Sequence, residues 1–242
     1  MIQSGENKNA KIILWDIETT NLSANFGYIL CVSWKVLGED KVHTVKITDS
    51  PTFKSDPTND KYVVQKAAEE LSKADIWVTW YGSKFDVPFL QTRLIKHGLP
   101  IMPDIANVDG WRTAKYRMKV SSNRLNTVSE FLGVEEKTPV RGDVWIKAMS
   151  GHAPSIRYVV EHCEQDVIVL EQVYEVILPL IKQHPKVFAA GGNFTDGRPL
   201  CSHCGDKRMI KRGERRTTTG YRSEYQCKNC GCYTSTKINK FV

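Results

Sequence analysis

Two acids stand two residues apart in the segment Asp16-Ile17-Glu18-Thr19-Thr20, at the end of the apolar run Lys11–Trp15. If that run is a strand, its period of two points both carboxylates to one face. Paired carboxylates repel, and a bound divalent cation or a raised pKa is the usual resolution. A third acid, Asp86, falls in ThrTrpTyrGlySerLysPheAspValProPheLeu at 79–90, where an apolar strand meets a glycine turn and the acid opens the next helix. A fourth, Asp166, lies inside TyrValValGluHisCysGluGlnAspVal on the longest periodic helix. Taken singly these are a solvated strand end, a helix N-terminal acid favoured by the dipole, and an acid on a wet face. Taken together, a strand end, a helix start and a helix interior each offer an acid in a fold where those elements can converge.

Strands and helices with clear patterning must position these acids. Lys11–Trp15, Tyr28–Val36 and Val42–Thr48 have strand character and form a meander with a turn at 38–40. Helical spacing then covers Tyr62–Lys73, an apolar strand covers Ile76–Trp80, and Val87–His97 is a helix stopped by Gly98 and Pro100. Residues 101–154 are less regular, with a short helix at Leu125–Leu132 ended by Gly133. Ser155 is expected to cap a long helix, since Ile156, Val160, Cys163, Val167, Leu170, Tyr174 and Ile177 recur at intervals of three and four. This order predicts a mixed α/β sheet.

The three acid-bearing segments, in this order, resemble the motifs of the DEDD, or DnaQ-like, 3′–5′ exonucleases with an RNase H-like fold. The wording AspIleGluThrThr and PheAspValProPheLeu is most similar to the proofreading domains of family-B DNA polymerases and their stand-alone relatives, over about residues 11–182. The resemblance implies that Asp16, Glu18, Asp86 and Asp166 ligate two divalent cations, magnesium or manganese, that support phosphodiester hydrolysis. It also makes Thr19, Leu22, Tyr81 and Phe85 candidates for substrate contact: Leu22 resembles a residue that wedges the 3′-terminal base, and Tyr81 stands where relatives carry Asn. Asp109, before TrpArgThrAlaLys, reads as structural rather than as a metal ligand.

The base position departs from the family pattern. The tyrosine branch has Tyr four residues before the last Asp and the histidine branch has His five before it; here His162 is four before Asp166. One helical turn puts the two on one face, and an imidazole with an ordinary pKa of about 6.5 suits a water-orienting base. Tyr158, roughly 12 Å along the axis from Asp166 at ~1.5 Å per residue, is read as too far to share that water.

The C-terminal segment has a different chemistry. Cys201-x2-Cys204 and Cys227-x2-Cys230, each followed by glycine, have the spacing of a zinc ribbon, with one structural Zn2+ on four thiolates and with Cys232 spare and His203 outside the ligand set. A unit of this size has little core, so the metal is expected to supply much of its folding energy. Between the knuckles, Arg212, Arg215 and Arg222 with Tyr221 are the cations and aromatics expected to grip nucleic acid. The wording around Tyr221–Gly231 is similar to zinc ribbons of transposase-type DNA-binding proteins. A protein-docking module is the rival reading.

Composition frames these readings. In 242 residues with 41% hydrophobic content there is enough apolar material for one α/β domain and an appendage. From Asp196 onward there are 11 Lys/Arg against 4 Asp/Glu; the preceding residues balance at 23 against 23, so the whole net charge of +7 lies in the tail. A neutral body with a cationic tail points to an acidic polymer as partner. No apolar stretch reaches membrane-spanning length and the N-terminus lacks a signal peptide's apolar core, so a cytoplasmic location without membrane contact is expected. The expected division is residues 1–183 as nuclease, 184–199 as linker and 200–242 as ribbon. The expected activity is removal of nucleotides from single-stranded DNA 3′ ends, with any polymerase or replication partner acting in trans. The alternatives are an exoribonuclease or dual-polymer enzyme, a catalytically weak binding adaptor, and, on the ribbon alone, a transposition accessory factor.

Overall fold

The computed structural model describes residues 10–134, 142–181, 184–185 and 199–236. The chain divides into two compact units, Lys11–Glu175 and the part from Val176 onward, the latter grouped with the N-terminal residues. Most of the expected linker, 186–198, lies outside the described residues.

In the first unit, β1 (Ile12–Thr19) is the central strand of a five-stranded sheet. It pairs antiparallel with β2 (Ile29–Val36), which pairs antiparallel with β3 (Val42–Lys46), so the meander forms as expected. On its other side β1 pairs parallel with β4 (Ile76–Thr79), and β4 pairs parallel with β5 (Ala106–Asp109), giving the order β3-β2-β1-β4-β5. Strand β5 was not expected: its segment AlaAsnValAsp is only four residues long with one strongly apolar residue, and pairing with β4 makes it a strand.

Helix α1 (Lys61–Leu71) turns Val63, Val64, Ala67, Ala68 and Leu71 inward, and α2 (Asp86–Lys96) buries Phe89, Leu90 and Leu94. Helices α3 (Gly110–Arg117), α4 (Leu125–Leu132) and α5 (Gly142–Met149) fill the irregular region, α4 ending on left-handed Gly133 as the sequence suggests. The long helix α6 runs Ala153–Ile177. It begins two residues before Ser155, which is therefore inside the first turn rather than the cap; Pro154 suits that turn because the missing N–H is one a helix start leaves unsatisfied. Ser155 Oγ instead lies 2.9 Å from His152 Nδ1. The core is continuous across Trp15, Leu30, Val32, Val64, Trp77, Leu90, Ile156 and Cys163, with Trp15 and Trp77 meeting edge to face at 5.6 Å.

A buried ionic knot ties this core to the loop after β1. Asp60, fully buried, accepts from the Ile29 amide and from Arg93 Nε, forms a close pair with Arg93 Nη2, and lies 2.6 Å from His97 Nε2. Arg93 Nη1 donates onward to the carbonyls of Ala24 and Gly27. The charges are compensated on all sides, as burial demands.

The second unit is a three-stranded sheet in the order β6 (Met209–Thr217), β7 (Gly220–Cys227) and β8 (Tyr233–Ser235). Its buried face carries Met209, Ser223, Tyr225 and Cys227. Such a face is too small to hold the sheet by itself.

Candidate active site

Parallel strands β1 and β4 run in register Leu14 to Val78, and β4 and β5 in register Thr79 to Asp109, so all three end at the same edge of the sheet. The candidate acids gather there. Glu18 is the next-to-last residue of β1, at a register shift after which Thr19 makes the last pair with β2, opposite Ile29. Asp86 is the first residue of α2 and only 3% exposed; its Oδ1 accepts the amide of Ile17, between the two β1 acids, at 3.3 Å. Asp166 comes from the buried stretch of α6.

The ligand atoms of Glu18, His162 and Asp166 all lie within 4.8 Å of one another. His162 Nε2 is 3.8 Å from Glu18 Oε1 and 3.9 Å from Asp166 Oδ2. Asp16 lies beside this group rather than in it: the Cys163 thiol donates to its carbonyl at 3.5 Å and to Oδ2 at 3.7 Å. Both β1 acids thus face α6, Glu18 beside His162 and Asp166 and Asp16 beside Cys163.

Electrostatics fits a cation site. Burial pushes the Asp86 carboxyl up to about 7, against the pull of the amides it accepts, and the charges of Asp109 and Asp166 raise it further. The Cys163 thiol is pushed well up by burial, next to Cys31, Asp16 and Glu18. Negative charge thus crowds a dry corner, and oxygen-rich donors of this kind suit Mg2+ or Mn2+.

The other expected contacts differ in setting. Thr19 Oγ1 donates to the Asn21 carbonyl. Leu22 is 84% exposed on the loop that Arg93 anchors, and Phe26, which the sequence did not single out, is 79% exposed on the same loop. Phe85 packs on Phe89 and against the core. Tyr81 is on the surface with a left-handed backbone, φ 69°. Asp109 binds no candidate cation group; it accepts from the amides of Tyr81, Ser83 and Trp111, and so is structural, as expected.

Sequence reasoning missed Trp145. From α5 its ring meets His162 edge to face at 5.4 Å and Tyr158 at 6.5 Å, an aromatic row that joins Tyr158 to the site. A tryptophan in a short helix without a wide apolar stripe was the available signal.

In the second unit, Cys201, Cys204, Cys227 and Cys230 place all four sulfurs within 4.8 Å. Amides of Cys204 and Asn229 point at the sulfurs of Cys201 and Cys227, and Gly205 and Gly231 close both knuckles with φ of 72° and 74°. Burial pushes the Cys201 and Cys230 thiols far up in the absence of a cation, a penalty that a tetrahedral Zn2+ reverses by taking thiolates. Cys232 is outside this group, its thiol donating to the Leu178 carbonyl. On the sheet, Arg215 stands directly across from Arg222 and Arg216 across from Tyr221, while Arg212, at the bulge, donates to Gln226.

Fold and site define a nuclease of the RNase H type. A family model described as RNase_H superfamily matches residues 13–178, more than half of the sequence, and the chain belongs to that superfamily. Nucleases of this type depend on divalent metals, and the carboxylates at the sheet edge fit that requirement. Among solved structures the chain is similar to the family B DNA polymerase from the hyperthermophilic archaeon Pyrobaculum calidifontis, with a TM-score of 0.56 and 16% identity over 87% of this chain and 31% of that one. The chain thus spans about a third of the polymerase, and the likeness is one of fold. No curated protein matches. No helix among the described residues is long and apolar enough to cross a membrane.

Proposed function

We propose that the protein is a 3′–5′ exonuclease that hydrolyses single-stranded DNA from its 3′ end, with the C-terminal ribbon holding the polymer. The observation that carries the reading is the gathering of Glu18, His162 and Asp166, with Asp16 and Asp86 alongside, at one edge of the sheet. Asp16, Glu18, Asp86 and Asp166 would hold two divalent cations, which when bound supply Lewis-acid stabilisation of the phosphodiester. His162 orients the attacking water and takes its proton at Nε2, while Trp145 fixes the ring. The proximity of Nε2 to two carboxylates also favours a second reading in which His162 is itself a ligand. Leu22 meets the terminal base from its anchored loop.

In the ribbon, Arg215 and Arg222 face each other across the strands, with Glu224 Oε1 3.9 Å from Arg215 Nη1, and the cationic surface they form with Arg212 supports phosphate binding. Tyr221 extends that surface. The polymerase likeness is consistent with replication or repair, any polymerase acting in trans.

The test uses 5′-labelled DNA and RNA strands with free or blocked 3′ ends, in magnesium or manganese. A ladder that shortens from the 3′ end, lost in Asp16→Ala/Glu18→Ala, supports the reading; the polymer degraded separates DNA from RNA activity. Binding without cleavage by the wild type would move the protein to the adaptor class. Activity lost in His162→Ala but kept in His162→Tyr supports a base, whereas loss in both with weakened metal binding supports a ligand.

A further inference from the structure

We propose that Tyr81, Trp111 and Lys115 form a stacking platform for the single-stranded nucleic acid that leads into the candidate site. This rests on the nuclease reading for its setting and extends it from Tyr81, already a candidate for substrate contact, to Trp111 and Lys115.

The first observation is conformational. Among the described residues Tyr81 is the sole non-glycine with positive φ, a costly state for an aromatic side chain. The buried Asp109 carboxylate maintains it, accepting the Tyr81 amide at 2.9 Å, the Ser83 amide at 3.1 Å and the Trp111 amide at 3.1 Å. One acid thus fixes the 80–85 turn and the start of α3 together. The Tyr81 ring, 42% exposed, meets Trp111 edge to face at 4.9 Å.

The second observation is charge. Lys115 Nζ lies 4.6 Å from the Trp111 ring centroid and 5.7 Å from that of Tyr116, itself 66% exposed. From Gly110 to Leu125 the chain carries Arg112, Lys115, Arg117, Lys119 and Arg124 and no acid, although the first 195 residues are electrically balanced. Exposed aromatics within a cationic segment take the bases and phosphates of a single strand, with stacking that tolerates any sequence. A docked protein segment would need an apolar groove instead, and this surface offers rings edged by cations.

The third is position. The turn from Tyr81 leads through Phe85 directly to Asp86, and α3 follows β5, whose end is level with that of β4. Platform and carboxylates thus share one sheet edge within one unit.

Full-length, zinc-loaded protein is irradiated with single strands carrying 5-iodouracil in DNA and RNA series, without added magnesium, and adducts are mapped. Adducts on Tyr81 or within 111–116 are expected, and Trp111→Ala should reduce them and raise KM for a single strand about tenfold, while Trp111→Phe retains most affinity. Hydrolysis of the p-nitrophenyl ester of thymidine 5′-monophosphate, too short to reach the platform, should be unchanged in these variants. Lys115→Glu, at an exposed position, repeats the binding test should Trp111→Ala not fold. Adducts confined to residues beyond Cys201, or unchanged binding in both variants, would overturn the platform. Adducts here in a protein that cleaves nothing would sustain it while removing the exonuclease reading.

Discussion

At the residue scale, Asp86 couples the site to pH. Its carboxyl is raised to about 7, chiefly by burial, so the folded, metal-free protein favours the protonated form. The stability this contributes is full below the ordinary carboxylate range and is lost as pH rises through about 7. A divalent cation reverses the sign, because it displaces that proton. Melting temperatures without magnesium should therefore fall between about pH 4 and about pH 7, stabilisation by magnesium should grow over the same interval, and Asp86→Asn should flatten both. An identical pH response in the Asn variant would remove Asp86 from this role. Asp16, Glu18, Asp86 and Asp166 were legible because each sits at a recognisable place on an apolar element. Their neighbours on α6 were not, since Cys163 lies 147 positions from Asp16 in sequence.

At the element scale, two close approaches hold the edge. A Cβ at Gly82 would lie 2.4 Å from Thr79 Cβ and Oγ1, so Gly82→Ala must displace the strand end that precedes Asp86 and should cost about 1–3 kcal/mol by denaturation. Arg93→Ala leaves Asp60 buried with less compensation, and about 3–5 kcal/mol is expected. Proteolysis within 20–28 should rise in parallel if Arg93 anchors that loop; an unchanged loop with lowered stability would confine Arg93 to the core. The elements legible in sequence were those with strong periodicity, apolar runs or clear stop signals: β1 to β4, α1, α2, α4 and α6. Those missed, β5, α3 and α5, owe their form to partners. Helix α3 reads GlyTrpArgThrAlaLysTyrArg, which has little apolar stripe, and it starts where it does because the Asp109 side chain caps the Trp111 amide.

At the scale of the whole molecule, the proposed chemistry and the proposed ribbon contact with nucleic acid fall in separate units, and they should fail separately. Stripping zinc is expected to unfold the second unit, seen as rapid trypsin cleavage in the Arg-rich strand β6, while the melting of Lys11–Glu175 persists. Neutralising Arg215 and Arg222 should weaken single-strand binding and reduce its logarithmic salt slope by ~0.7 for each phosphate that no longer meets a cation. Cleavage should remain measurable at saturating substrate; a core that becomes inactive while its ribbon stays folded would contradict this division. The central position of β1 has one more consequence. Glu18 is made early by the ribosome, and Asp166, its neighbour in the finished site, arrives only with α6. During synthesis the growing chain therefore lacks the Glu18–His162–Asp166 group, and under the proposed function cleavage would begin only once the last major helix of this unit has emerged.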